Sequence, residues 1–168
     1  MIKLIEPCEE YLASYQEAYD EYIANGVTTY SLYDPREVDV LERFDHYRKA
    51  MDLKPGYVRS DYYWLVEDEK RQFIGQIALR PELNEKLKLI GGNIGYGIRY
   101  SQWNKGYGTL MLKLVLEKAK ERGLKKVLCT CNDDNLASAR VMEHNGFTMD
   151  DKVEVDGVLI RRYWKSLC

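Results

Sequence analysis

Apolar and aromatic residues recur at helical spacing near the start of the chain. In CEEYLASYQEAYDEYIANG they fall at Tyr11, Leu12, Tyr15, Ala18, Tyr19, Tyr22 and Ile23, and Gly26 supplies a stop. A second helix is expected to begin near Asp34-Pro35, with the proline in its first turn, and to run to about Asp52. Val38, Leu41, Phe44 and Tyr47 give it a partly apolar face, and Pro55-Gly56 closes the region. The period then changes. DYYWLVEDEKRQFIGQIALRP predicts two strands around the polar turn Glu67-Asp68-Glu69-Lys70, with Pro81 closing the second. ELNEKLKLIGG reads as a connector and NIGYGIRY as a third strand. SQWNKGYGTLMLKLVLEKAKERG is a polar loop feeding an amphipathic helix that Gly123 ends. KKVLCTCN is a short apolar strand, and DDNLASARVMEHNGF a short helix stopped by Asn145-Gly146. MDDKVEVDGVLIRRYW is a hairpin turning at Asp156-Gly157. The order predicts a mixed α/β fold, a mostly antiparallel sheet with one β-α-β crossover. There are no repeats and no linker. The expectation is one domain over 1–168, with the helices of 1–56 covering an acceptor site.

Composition narrows the function. The 168 residues include 45% hydrophobic residues, enough for a sizeable core. A net charge of −2 and a pI near 5.8 argue against a nucleic-acid binder that relies on bulk positive charge. No apolar run reaches the ~20 residues of a membrane span. The segment MIKLIEPCEE lacks the apolar stretch of a secretory signal, so a cytoplasmic protein with no membrane partner is expected. Cys129 and Cys131 have no second pair with which to hold zinc. All four cysteines, with Cys8 and Cys168, are expected to be reduced thiols and no metal is expected.

The loop before the amphipathic helix carries the candidate chemistry. The first amides of a helix lack internal partners, and the helix dipole puts partial positive charge there. In Lys105-Gly106-Tyr107-Gly108-Thr109 the glycines allow positive φ and close approach of an anion. The run is not a Walker A loop, since no Gly-Lys-Ser/Thr closes it, and it lacks the third glycine of a dinucleotide fingerprint. On its own it also fits a ligand-free helix entry.

With its neighbours, the loop resembles that of the GNAT superfamily of N-acetyltransferases. The family's acetyl-CoA loop, R/Q-x-x-G-x-G/A, is matched at Gly106 and Gly108, with Trp103 in the Arg/Gln place. The later block, an Asn followed by a helix and Gly-Phe, is matched by Asn135 and Gly146-Phe147. The likeness spans roughly residues 60 to 165. From Tyr57 to Gly146 it is especially like a poorly characterised bacterial branch. The resemblance implies a V-shaped splay between the family's fourth and fifth strands, with the pantetheine arm of acetyl-CoA threaded through it. It implies that backbone groups around Ile98, Arg99 and Tyr100 pair with pantetheine. Amides from Asn104 to Thr109 would hold the pyrophosphate, with Lys105 near a phosphate. Asn135 would contact the pantetheine arm or cap its helix. Many members carry a tyrosine proton donor seven residues after the Asn; here that residue is Met142. Ser138 is the candidate replacement donor, and Cys131 would lie near the thioester. Glu67 and Asn93 are candidates for the base side by placement, and Tyr96 could face either way. The implied activity is direct transfer from acetyl-CoA to a small-molecule or peptide amine. The alternatives are a non-catalytic acyl-CoA-binding or sensor module, and an unrelated α/β interaction domain. An exposed final strand, VLIRRYW, is expected to offer an edge for a homodimer.

Overall fold

The computed structural model describes residues 1–168. Seven strands form one sheet: β1 (Ile2–Ile5), β2 (Asp61–Glu67), β3 (Gln72–Leu79), β4 (Ile94–Ile98), β5 (Lys126–Asn132), β6 (Thr148–Val155) and β7 (Val158–Ser166). The helices are α1 (Leu12–Ala24), α2 (Val40–Lys49), α3 (Glu85–Leu89), α4 (Tyr107–Glu121) and α5 (Leu136–His144). The spatial order is β1-β2-β3-β4-β5-β7-β6. Every adjacent pair is antiparallel except β4-β5, which is parallel because α4 crosses over between them. No helix is long and apolar enough to cross a membrane.

The β4-β5 pair is barely formed. β3 and β4 run in register from Gly75↔Ile98 to Leu79↔Ile94, whereas β4 and β5 share only Ile94↔Cys129. Asn93 sits at the vertex. Its N–H donates to Leu128 O at 2.8 Å, its Oδ1 accepts from Leu128 N at 2.8 Å, and its Nδ2 donates to Arg80 O at 2.9 Å. Beside it Gly92 has φ +62°, and a Cβ there would stand 2.3 Å from Leu128 O. Beyond this point the strands diverge.

Alternation along β2 sends side chains to two cores. Tyr63 and Leu65 join a cluster with Met111, Leu112, Val115 and Ala119 of α4. Trp64 and Val66 join Tyr15, Tyr22 and Phe44 on the opposite face, under α1 and α2. α1 is also tied to the end of β4. The Arg99 guanidinium, buried between them, donates to Glu21 Oε2 at 2.9 Å and to Ser14 Oγ at 3.1 Å.

Four features depart from the sequence reading. β1 pairs with β2 from Ile2↔Glu67 to Ile5↔Trp64, a four-residue edge strand too short for its alternation to stand out. α2 starts at Val40, not near Pro35. The Asp39 carboxylate caps it by accepting from Glu42 N at 3.0 Å, while Asp34 holds a separate turn by accepting from Arg36 N at 3.0 Å. The connector contains α3, capped by Asn84. Finally, β7 lies between β5 and β6, so the last strand has no free edge for a second copy; β1 and β6 are the edges.

Candidate active site

The loop at the start of α4 is a row of unused donors. Asn104 has φ +61° and Gly106 φ +82°. None of the amides from Asn104 to Thr109 donates to an acceptor of the chain. Alternating left-handed residues before a helix turn successive N–H groups toward one point, and the dipole adds positive potential. The two glycines have different reasons. Gly106 holds a left-handed conformation in open space, whereas a Cβ on Gly108 would come 3.1 Å from Val141 Cγ2, so Gly108 lets α4 lie close to α5. Asn145 reinforces that contact, donating from Nδ2 to Thr109 O at 3.1 Å. Trp103 packs against Tyr100 and donates from Nε1 to Ile98 O at 2.8 Å, so its indole buttresses the loop. Lys105 is exposed and reaches Gln102 Oε1 at 3.2 Å.

Below the loop, β4 turns a row of backbone groups toward the splay. Arg99 N donates to Ile74 O of β3 at 2.7 Å. In an antiparallel ladder that alternation points the N–H and C=O of Tyr96 and Ile98 away from β3, toward the gap before β5. Ile98 O already accepts from Tyr22 OH at 2.6 Å as well as from Trp103. The two groups on Arg99 are both engaged, its C=O accepting from Gln102 N at 2.9 Å. Of the three residues the resemblance assigned to this role, Ile98 faces the cleft, Arg99 is a strut to α1, and Tyr100 is exposed outside it.

The hydroxyls in the splay come from both sides. Tyr96 reaches from β4 to the first turn of α5, where its OH lies 2.7 Å from Ser138 Oγ and donates to Ser138 O at 3.1 Å. Burial pushes the Tyr96 pKa well above the usual phenol value, so the hydroxyl stays protonated through the neutral range. Ser138 N donates to Asn135 Oδ1 at 3.2 Å, which makes Asn135 the helix cap; its Nδ2 has no partner in the chain. Cys131 Sγ lies 3.8 Å from Asn135 O, and burial pushes its thiol up to about 11, so it stays protonated. Met142 is fully buried in the α4 core, far from any role as a donor.

A cavity of about 330 Å³ runs from Asn104 and Trp103 past Ile98 to Tyr96, Asn135 and Ser138. A second, of about 290 Å³, continues from Tyr96 and Ser138 to Arg80, Gly91 and Thr130. Tyr30, from the loop between α1 and α2, walls both. Its ring lies over Gly97, where a Cβ would come 2.6 Å from Tyr30 Cγ. The two cavities meet at the Tyr96–Ser138 pair, through the gap between β4 and β5.

Other candidates lie elsewhere. Glu67 is at the opposite edge, where the Met1 ammonium beside it holds its carboxyl below the usual range. Asn93 is the buried staple of the splay. Sequence reasoning left Tyr96 undecided, although its alternation with Ile94 and Ile98 was the signal for the face it takes. Tyr30 offered no signal, because it comes from a loop. No group of three or more His, Cys, Asp or Glu side chains is placed to hold a metal ion.

The sequence profile of the acetyltransferase (GNAT) domain matches residues 8–148. No curated protein sequence matches the chain. Among solved structures, the microcin C7 self-immunity acetyltransferase MccE, in complex with acetyl-CoA and AMP, is similar at a TM-score of 0.72 and 17% identity, covering 98% of this chain and 92% of that one. RimL, the ribosomal L7/L12 alpha-N-protein acetyltransferase in complex with coenzyme A, gives 0.69 and 16%, covering 98% and 93%. An acetyltransferase of this family from Streptococcus pneumoniae gives 0.69 and 17%, covering 99% of each chain. At these identities the likeness is one of fold.

Proposed function

Since the chain belongs to the GNAT acetyltransferase family, we propose that it transfers the acetyl group of acetyl-CoA to an amine by direct attack in a ternary complex. One observation carries this reading. The unpartnered amides from Asn104 to Thr109 open onto a cavity that leads, within the splay, to the paired hydroxyls of Tyr96 and Ser138. The complexes of MccE with acetyl-CoA and of RimL with coenzyme A support the same ligand here.

In this reading the amides of the loop, with Gly106 left-handed, take the pyrophosphate, and the free Nδ2 of Asn135 donates to the pantetheine arm. The neutral amine attacks the thioester carbonyl. The C–N bond forms, a β4 N–H facing the gap steadies the oxyanion, and the C–S bond breaks. The leaving thiolate takes a proton from Ser138 Oγ, Tyr96 passes its own across the 2.7 Å contact, and the proton the amine releases returns through water to Tyr96, so both hydroxyls end as they began. Neither cysteine supplies a nucleophile, since Cys129 and Cys131 are both held protonated by burial.

The burial of Met142, where many relatives place a tyrosine, favours a second reading: a module that binds acyl-CoA without turnover. Titration calorimetry with acetyl-CoA tests the binding that both readings require. Saturable binding by the wild type that Gly106→Val abolishes is expected; a folded wild type that binds no acetyl-CoA ends both. Release of CoA on adding an amine panel then separates the enzyme from the module.

A further inference from the structure

The second cavity contains an arginine with three of its five donors idle. A guanidinium has five N–H donors in a rigid fork. Arg80 Nη1 donates to Gly91 O at 3.3 Å and to Gly92 O at 3.1 Å. Its Nε and Nη2 have no acceptor in the chain. The buried Arg99 and the partly buried Arg161 and Arg162 each pair with a carboxylate, of Glu21, Asp133 and Asp151 respectively. Arg80, also partly buried, pairs with none. A cation half withdrawn from water without a counter-ion is costly, and an arriving anion recovers that cost.

The position of the idle edge matters. Arg80 follows the last residue of β3, and its Nη2 lies 3.2 Å from where a Cβ of Gly95 would stand. Gly95 and Gly97 lack side chains on that face of β4, so the guanidinium and the Tyr30 ring lie directly against the strand. Arg80, Gly95, Tyr30, Tyr96 and Ser138 line one cavity. The other charged side chain lining it is Asp134, exposed on the turn before α5.

We infer that the acceptor is a small amine bearing a carboxylate, of the size of an amino acid, and that the Nε–Nη2 edge of Arg80 holds the carboxylate. The inference rests on the acetyl-transfer reading above and names the acceptor class for that site. A side-on guanidinium edge matches the two oxygens of a carboxylate with parallel N–H···O bonds. A single guanidinium, already shared with two carbonyls in a cavity that Asp134 also lines, suits one negative charge better than the two of a phosphate. Asp134 also favours the ammonium end of a zwitterion entering the cavity. The cavity of about 290 Å³ accommodates such a molecule.

The test compares the L-α-amino acids with their amides as acceptors, following CoA release and the acetylated product. The wild type is expected to prefer an acid over its amide by about 10- to 100-fold in kcat/KM, mostly through KM. Arg80→Gln is expected to erase that preference, raising KM for the acid far more than for the amide. A purely structural anchor for the Gly91-Gly92 turn would instead lower acid and amide alike, and that result overturns the inference. Gly95→Ala, which pushes on the guanidinium without deleting it, is expected to raise KM for the acid alone. Equal use of acids and amides by the wild type overturns the inference without any variant, as does acetyl-CoA binding with no acid acetylated. Failure of the wild type to bind acetyl-CoA removes the acetyl-transfer reading itself.

Discussion

On one face of the sheet, α4 and α5 pack through Met111, Leu112, Val115, Ala119, Ala139 and Met142 onto a largely aliphatic core. On the other, α1 and α2 bury Tyr11, Tyr15, Tyr22, Phe44, Trp64 and Phe73. The first face holds regular elements together with mostly aliphatic side chains, Tyr63 and Tyr163 aside. The second uses polar tips to order a segment with no regular structure. Tyr15 OH accepts from Tyr33 N at 2.9 Å, and Trp64 Nε1 donates to Gln76 Oε1 at 2.9 Å. Gln76 Nε2 in turn donates to Tyr30 OH at 3.1 Å. The loop that walls the proposed acceptor side is thus wired into the core by phenols and an amide, while the loop proposed to hold acetyl-CoA stands on a largely aliphatic platform. Precision on one face comes from packing, and on the other from hydrogen bonds carried by aromatic rings.

The sharpest way to break this contrast is Trp64→Ala against Leu112→Ala. Both side chains are fully buried. The tryptophan change is expected to cost about 3–5 kcal/mol in urea unfolding and the leucine change about 2–5 kcal/mol. The tryptophan change alone should also loosen Tyr30, seen as faster amide exchange in the loop between α1 and α2. Next comes the point where the faces meet. Ser138→Ala is expected to lower kcat about 100-fold with acetyl-CoA affinity kept, as read by steady-state kinetics and calorimetry. Unchanged turnover would leave Ser138 a helix residue only. The smallest effect, nil at neutral pH, is alkaline. Burial raises the pKa of Tyr15, Tyr22, Tyr62 and Tyr96 above the ordinary value near 10. The unfolded chain therefore releases these protons first. Stability should hold below about pH 10 and fall above it, and a Tyr15→Phe, Tyr62→Phe pair should flatten that fall. An unaltered slope would mean that these hydroxyls ionise freely in the folded state.

Legibility in the sequence follows the same division. α4 could be read because its aliphatic residues repeat at 3.6 and its glycines mark its mouth; the β6-β7 hairpin could be read from Asp156-Gly157, both left-handed in the structure. The loop residues of the candidate site were legible for the same reason, since backbone donors need only glycine and a helix start. The commitments of Arg99 could not be read locally: its N–H goes to Ile74 O, and its side chain to Glu21 and Ser14, about eighty residues away in the chain. Arg80 and Tyr30 carried no local mark at all: what matters about them is which donors are left over after folding, and which strand happens to have no side chains beneath them.

The vertex at Asn93 also gives the sheet a mechanical character. Each half, β1 to β4 and β5 to β7, is laced by continuous ladders, yet across the middle the lacing is confined to the Gly91–Ile94 end of β4, through the Ile94 register pair, the Gly92–Cys129 bridge, the two Asn93 bonds to Leu128 and Gly91 N–H to Thr130 Oγ1. A plate cut most of the way through behaves as two stiff leaves on a rivet. What spans the cut is the core beneath it, where Leu65 and Ile77 of one leaf and Val127 and Tyr163 of the other share the side chains of α4. Above the open end, Tyr96 of β4 and Ser138 of α5 span the cut with a hydroxyl contact of 2.7 Å.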